Sequence, residues 1–146
     1  MSHPIRFHVL IIPTTTWPEL LRRAQWVETL GFDAVALPDH LVDWTNPSQP
    51  WYDCWTALAA IAQATDTIRL STAVTQIPLR NPAMLARQVL TLDHISNGRI
   101  ELGLGTGLTI DPSYAMAGLP NWSPAERADR FGEYLELVCR LLSQEA

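Results

Sequence analysis

The stretch Ile100-Glu-Leu-Gly-Leu-Gly-Thr-Gly107 decides the fold. Apolar side chains alternate at Ile100, Leu102 and Leu104, the period-two pattern of a strand. The strand runs into Gly103, Gly105 and Gly107, residues that let a backbone pass close to a ligand at little steric cost. In parallel α/β proteins the C-terminal end of a strand is where ligands bind. The plainer alternative is a glycine-loosened strand end with no ligand. A dinucleotide fingerprint fits poorly. Its third glycine would fall on Leu108, and Pro112, Gly118 and Pro120 follow where a helix would have to open.

Working back from this strand, the chain reads as alternating strands and helices. Ile5 to Ile12 is an apolar first strand, as for a strand buried on both faces. Thr16-Trp-Pro-Glu19 has the form of a capping box and opens helix one, which places Leu20, Ala24 and Val27 on one face and stops near Gly31. Asp33 to Leu37 is strand two, ended by Pro38-Asp39-His40, and a polar loop follows from Leu41 to Tyr52. Asp53 caps helix two, Cys54 to about Ala64, and Ile68 to Thr75 is strand three. Asn81-Pro82 opens helix three, with Leu85, Val89 and Leu92 inward, and Asn97-Gly98 closes it. Beyond strand four lies a long loop, Thr109 to Trp122. A second capping box, Ser123-Pro-Ala-Glu126, then starts helix four, whose buried face is expected at Ala128, Phe131, Leu135, Val138 and Leu142.

Strands recur about every 30 residues, as βαβ units do, and the crossover rule makes them parallel. The connections after strands are long and the returns from helices short, so the elaboration lies on one face, as in a barrel built from βα loops. Four units predict (βα)4, half of a (β/α)8 barrel, over residues 1–146, and so a partial or truncated chain. Val9, Ile11, Leu102 and Leu104 are expected to include side chains that fill the barrel. A flavodoxin-like open sheet is the alternative architecture.

The chain has 146 residues, 47% of them hydrophobic and 17% charged, enough for a core in one domain. Its net charge of -5 and the lack of a basic tract argue against nucleic acid. Apolar runs are too short to cross a bilayer. No signal peptide is evident, and Cys54 and Cys139 stand in no metal or redox spacing. A soluble, cytoplasmic protein is expected.

Asp39 and His40 leave strand two on the loop face, where a histidine can serve as general base or hydrogen-bond donor. The alternative is a turn-capping aspartate beside a solvated histidine. No metal is expected: His3, His8, His40 and His94 share no ligand spacing. A hydrolase with a metal on Asp39 and His40 is kept only as a distant rival. Arg80 either steers an anion or pairs with a carboxylate. Trp44, Trp51 and Trp55 cluster near one loop.

Gly31-Phe-Asp-Ala-Val-Ala-Leu-Pro-Asp-His40, Leu58 to Thr65 with Ile68-Arg-Leu-Ser, Arg80-Asn-Pro82, Thr91-Leu-Asp-His-Ile-Ser-Asn-Gly-Arg99 and Gly103-Leu-Gly-Thr-Gly107 follow in one order. In that order the sequence resembles the luciferase-like monooxygenase family, over essentially the whole chain. The resemblance implies an oxidoreductase that uses reduced FMN with oxygen, or the deazaflavin coenzyme F420 for hydride transfer, on a small-molecule substrate. It implies that Asp39 and His40 face the cofactor ring, with His40 catalytic. Ala73 and Val74 would support the ring from behind through a non-proline cis peptide, and Gly105, Thr106 and Gly107 would line it. Trp44 and Asp111 would lie on the substrate side. Leu108 stands where sugar-phosphate dehydrogenases of the family carry an acidic glutamate, which argues against that activity. The family is often dimeric, and a homo-oligomer through the open barrel seam or the helices is expected. The competing reading is a non-catalytic half-barrel used for subunit interaction.

Overall fold

The computed structural model describes residues 5–143. At its centre is β2 (Ala34–Leu37), with all four residues buried. β2 pairs in parallel with β1 (His8–Leu10) on one side and β3 (Arg69–Thr72) on the other, and β3 pairs with β5 (Ile100–Glu101). The order β1-β2-β3-β5 follows the chain without reversal. A doubly wound sheet reverses its order at a switch point, so the sequential order selects the barrel progression over the flavodoxin-like alternative.

Two strands expected to be continuous are broken. The third run divides into β3 and β4 (Thr75–Gln76) at the cis peptide Ala73–Val74. The fourth divides into β5 and β6 (Leu104–Gly105), and β4 pairs with β6 in a separate two-stranded ladder. At the break, the Thr72 side chain replaces ladder bonds: Gly103 N–H donates to its Oγ1 at 3.0 Å, and Oγ1 donates to Gly103 O at 2.8 Å. Thr75 N–H also donates to Gly103 O, at 2.8 Å. Hydrophobic alternation is blind to a side chain that takes over backbone hydrogen bonds, so the sequence reads through the gap.

The helices cover one face of the sheet. α1 (Trp17–Thr29) buries Leu20, Ala24 and Val27; α2 (Cys54–Gln63) buries Leu58 and Ile61; α3 (Pro82–Ser96) buries Leu85, Val89 and Leu92. These pack with Val35, Leu37 and Leu70 from the sheet into one core. Asp53 caps α2 through Thr56 N–H and Asn81 caps α3 through Ala83 and Met84 N–H, as the sequence predicts. Thr16 is the N-cap residue of α1 but its side chain makes no cap bond.

α4 (Ser113–Met116) is a one-turn helix inside the long loop that the sequence leaves irregular. α5 (Pro124–Ser143) opens with a closed capping box: Ser123 N–H donates to Glu126 Oε2 at 2.9 Å and Glu126 N–H to Ser123 Oγ at 3.3 Å. Its buried residues are Arg127, Tyr134 and Val138, while Ala128 and Leu135 are exposed. Val138 lies in the core and Phe131 and Leu142 pack against it as expected, while Arg127 and Tyr134 take the places that an apolar reading gives to Ala128 and Leu135.

β1 also departs from expectation. His8 and Leu10 are exposed and Val9 only half-buried, since β1 is an edge strand with β2 as its one partner among the described residues. Ile11 is buried in the helix-facing core, and Val9, Leu102 and Leu104 pack against it, so these four do not fill the barrel side as expected. Successive side chains point to opposite faces. The other face accordingly carries Leu10, the small residues Ala34, Ala36 and Ser71, and Glu101, which pairs with Arg6, His8 and Arg69.

Candidate active site

The ends of β2, β4 and β6 converge on a cleft of about 330 Å³ lined by His40, Trp44, Ala73, Val74, Gln76, Thr106, Leu108 and the two glycines 105 and 107. That volume lies at the lower end of the range for small-molecule sites. The glycines are needed by the protein itself. A Cβ on Gly105 would collide with the Val74 side chain. Gly107 has φ +76°, and a Cβ there would collide with the Tyr114 hydroxyl and stand 2.7 Å from Gln76 Oε1. The bare loop inferred from the glycines is therefore a closely packed wall.

His40 is held by a residue far away in sequence. Its Nδ1 lies 2.6 Å from Asp111 Oδ2. Asp111 Oδ1 accepts from Ser113 N–H at 2.8 Å, and Ser113 Oγ accepts from Leu41 N–H at 3.0 Å, so the loop before α4 is stitched to the end of β2. Burial pushes the Asp111 carboxyl up. Hydrogen bonds from Ser113, Gln76 and His40 outweigh it and hold the carboxyl below its ordinary range. Asp111, whose side chain is fully buried, stands against His40 Nδ1.

Asp39, the neighbour of His40, is gripped by an arginine. Both its carboxylate oxygens accept from Arg80, Oδ2 from Nε at 3.0 Å and Oδ1 from Nη2 at 2.6 Å, and it is absent from the cleft lining. Arg80 also reaches Asp53 Oδ1 at 2.7 Å. Arg80 is thus a carboxylate partner. Among the described residues no group of three or more His, Cys, Asp and Glu could hold one.

Of the three clustered tryptophans, two meet His40. The Trp44 ring lies 5.2 Å from the imidazole at 34°, and Trp51 meets it edge-on at 5.7 Å. Trp51 Nε1 is buried with no hydrogen-bond partner among the described residues. Trp55 turns away, donating to Thr75 Oγ1 at 3.2 Å.

Three residues that the sequence reading passed over complete the site. Gln76 Nε2 donates to Asp39 O at 3.0 Å and to Asp111 Oδ2 at 2.7 Å. Its Oε1 accepts from the Tyr114 hydroxyl. Arg127 lies 4.9 Å over the Tyr114 ring and donates to Thr106 O at 2.7 Å, which pins the strand-end loop. A polar glutamine closing an apolar strand was the available signal for the first. Nothing local marks Tyr114 or Arg127, because their roles depend on a loop and a helix meeting in space.

The fold and the site define a (βα) barrel wall with a histidine at the strand ends. The chain belongs to the luciferase-like monooxygenase family, whose model matches residues 1–146. Over 131 residues it is 33% identical to an F420-dependent glucose-6-phosphate dehydrogenase of Segniliparus rotundus, a match covering 87% of this chain and 38% of the relative. It is 32% identical over 124 residues to 4-hydroxyprotoasukamycin monooxygenase of Streptomyces nodosus subsp. asukaensis, covering 84% and 31%. Among solved structures it is similar to an F420-dependent secondary alcohol dehydrogenase in complex with an F420-acetone adduct, with TM-score 0.82, 25% identity, and 97% and 43% coverage. The chain thus spans well under half the length of these relatives. No helix among the described residues is long and apolar enough to cross a membrane.

Proposed function

We propose that this chain forms the ring-facing wall of an oxidoreductase that works with coenzyme F420 or FMN on a small-molecule substrate. The observation that carries the reading is His40, tied through Nδ1 to a buried carboxylate while lining a cleft walled by Trp44, Val74 and the Gly105–Gly107 segment. These residues fit a flat ring, because the wall is small and apolar at Ala73, Val74 and Gly105. The arginines nearby are engaged, Arg80 by two carboxylates, and Arg127 by Thr106 O, Trp122 O and Asn121 Oδ1. Bound here, a deazaflavin would supply hydride transfer and a reduced flavin oxygen chemistry.

The chain's own residues handle the proton and the water. Asp111 occupies Nδ1 of His40, so the other ring nitrogen, Nε2, is free to take a proton from a substrate hydroxyl or return one to a carbonyl oxygen. Trp44 and Leu108 shield that exchange. Leu108 offers no acid where sugar-phosphate dehydrogenases of the family carry one by resemblance, which argues against that activity for the whole protein.

Titrating the full-length protein with FMN and with coenzyme F420, followed by fluorescence, tests the reading. Binding of either ring that weakens when Gly105→Val fills the wall supports it; binding of neither overturns it.

The interaction reading also has an observation in its favour. Leu10, Ile12 and Ile110 are exposed, and β1 offers an unpaired edge among the described residues. Such edges and apolar patches favour association. We propose that the protein associates through this seam, in the cytoplasm, where its two free cysteines stay reduced. Sedimentation that shows a monomer at all concentrations would refute the association.

A further inference from the structure

We infer that Asp111, with Gln76 oriented beside it by Tyr114, is a positioning residue that fixes the tautomer of His40, holding the proton on Nδ1 and leaving the Nε2 lone pair open to the cleft.

A chain of donors and acceptors runs behind the imidazole. Leu108 N–H donates to the Tyr114 oxygen at 3.2 Å. The phenol has one hydrogen, and it goes to Gln76 Oε1. The opposite end of the amide faces Asp39 O and Asp111 Oδ2, both acceptors, so it must be the NH2 group, and its two hydrogens are spent on them. A flipped amide would set an oxygen against a carbonyl and a carboxylate. The side chain of Gln76 is therefore oriented from both ends.

His40 Nδ1 then has two neighbours, Gln76 Nε2 at 2.8 Å and Asp111 Oδ2 at 2.6 Å. The amide has no hydrogen left to give it. An unprotonated Nδ1 would aim its lone pair at a carboxylate oxygen, whereas a protonated Nδ1 donates a charge-assisted hydrogen bond to it. In the neutral imidazole the other nitrogen, Nε2, is then the acceptor, and it has no protein partner among the described residues. The tautomer is set by hydrogen bonds behind the ring, the general logic by which a histidine's second nitrogen is chosen.

The packing around the chain admits no slack. Tyr114 is 1% exposed, and Gly107 leaves no room for a Cβ between the phenol, Gln76 and Arg127. The Leu108 backbone amide thus orients Gln76 through the Tyr114 phenol, and Gln76 keeps its hydrogens on Asp39 O and Asp111 Oδ2. The inference rests on the proposed role of His40 only for its consequence, since the tautomer exists whether or not the enzyme turns over.

The test is nitrogen NMR on full-length protein labelled with 15N-histidine, at a pH where the imidazoles are neutral, with His40→Gln used for assignment. A protonated-type shift at Nδ1 and an unprotonated-type shift at Nε2 are expected. Asp111→Ala should move both shifts toward the opposite tautomer, because Gln76 Nε2 then has a hydrogen free for Nδ1, whereas Gln76→Leu should leave the proton on Nδ1, with circular dichroism confirming a folded chain. Asp111→Leu is closer in volume and serves if Asp111→Ala fails to fold. Wild-type protein with the proton on Nε2 overturns the inference, and so does a folded Asp111 variant whose shifts do not move. A normal tautomer pattern in a protein that binds neither ring would instead sink the proposed function and leave this inference standing.

Discussion

Asp39 and Asp111 are both almost wholly buried, within one layer of the same histidine, yet they answer burial differently. Burial pushes the Asp39 carboxyl above its ordinary range even though Arg80 grips it with two hydrogen bonds. Asp111 gathers bonds from Ser113, Gln76 and His40, and ends below its ordinary range. One carboxylate ties a loop to an arginine and stays out of the cleft. The other backs a histidine that lines it. A buried aspartate beside a candidate base therefore says little by its sequence position; its partners decide whether it serves the fold or the proton.

The largest effect should come from the Asp39 side. Removing Arg80 leaves a buried carboxylate unpaired, and Arg80→Ala should cost about 3–5 kcal/mol of stability. Denaturant melts read this directly, and a loss under about 1 kcal/mol would mean that Asp39 relaxes to solvent. Activity should fall only as far as folding does.

The Asp111 side should show the reverse. In the full-length enzyme Asp111→Asn should lower turnover by about 10²-fold or more, near what general acid–base catalysis contributes. His40→Ala should fall at least as far while its thermal midpoint changes little. Equal losses of stability and activity at His40 would mark it as structural and erase the contrast.

The contrast has a pH signature of known sign. Asp111 is held below its ordinary 3.8, so its contribution is full above the unfolded value and fades as pH falls through the lower folded value. The stability gap between wild type and Asp111→Asn should therefore be constant near neutrality and close below about pH 4. A gap that widens in acid would contradict the hydrogen-bond balance at Asp111.

The unequal legibility of the two aspartates runs through the molecule. The βα order, the inward faces of α1 and α3 and the caps at Asp53 and Asn81 were all readable, because periodicity and capping are local. His40, Trp44 and the Gly105–Gly107 wall were readable from motif order. Gln76, Tyr114 and the true partner of His40 were not. They come together only when α4, a turn of helix with no periodic signal, folds back on the end of β2. Arg127 was passed over because an arginine is counted as surface until its three carbonyl oxygens are seen.

The smallest prediction compares two stretches that the sequence makes equivalent, Thr16-x-x-Glu19 and Ser123-x-x-Glu126. Both have the capping-box form, and only the second closes. The difference lies in the basic residues that follow. Glu19 is taken by Arg22, at 2.8 and 2.9 Å, and by Arg23, at 2.8 Å, and these bonds lower its pKa to about 2. Glu126 has Arg130 one turn on, but that guanidinium lies 4.5 Å over the Trp122 ring and leaves the carboxylate free to reach back to Ser123 N–H. Ser123→Ala should therefore cost about 1 kcal/mol, the ordinary worth of a working cap. Thr16→Ala should cost a few tenths at most, because no cap bond is lost. Freeing Glu19 by replacing Arg22 and Arg23 with Gln together should let the first box close, after which Thr16→Ala should cost as much as Ser123→Ala. If Thr16→Ala is already as costly in the unmodified chain, the arginines are not what keeps that box open.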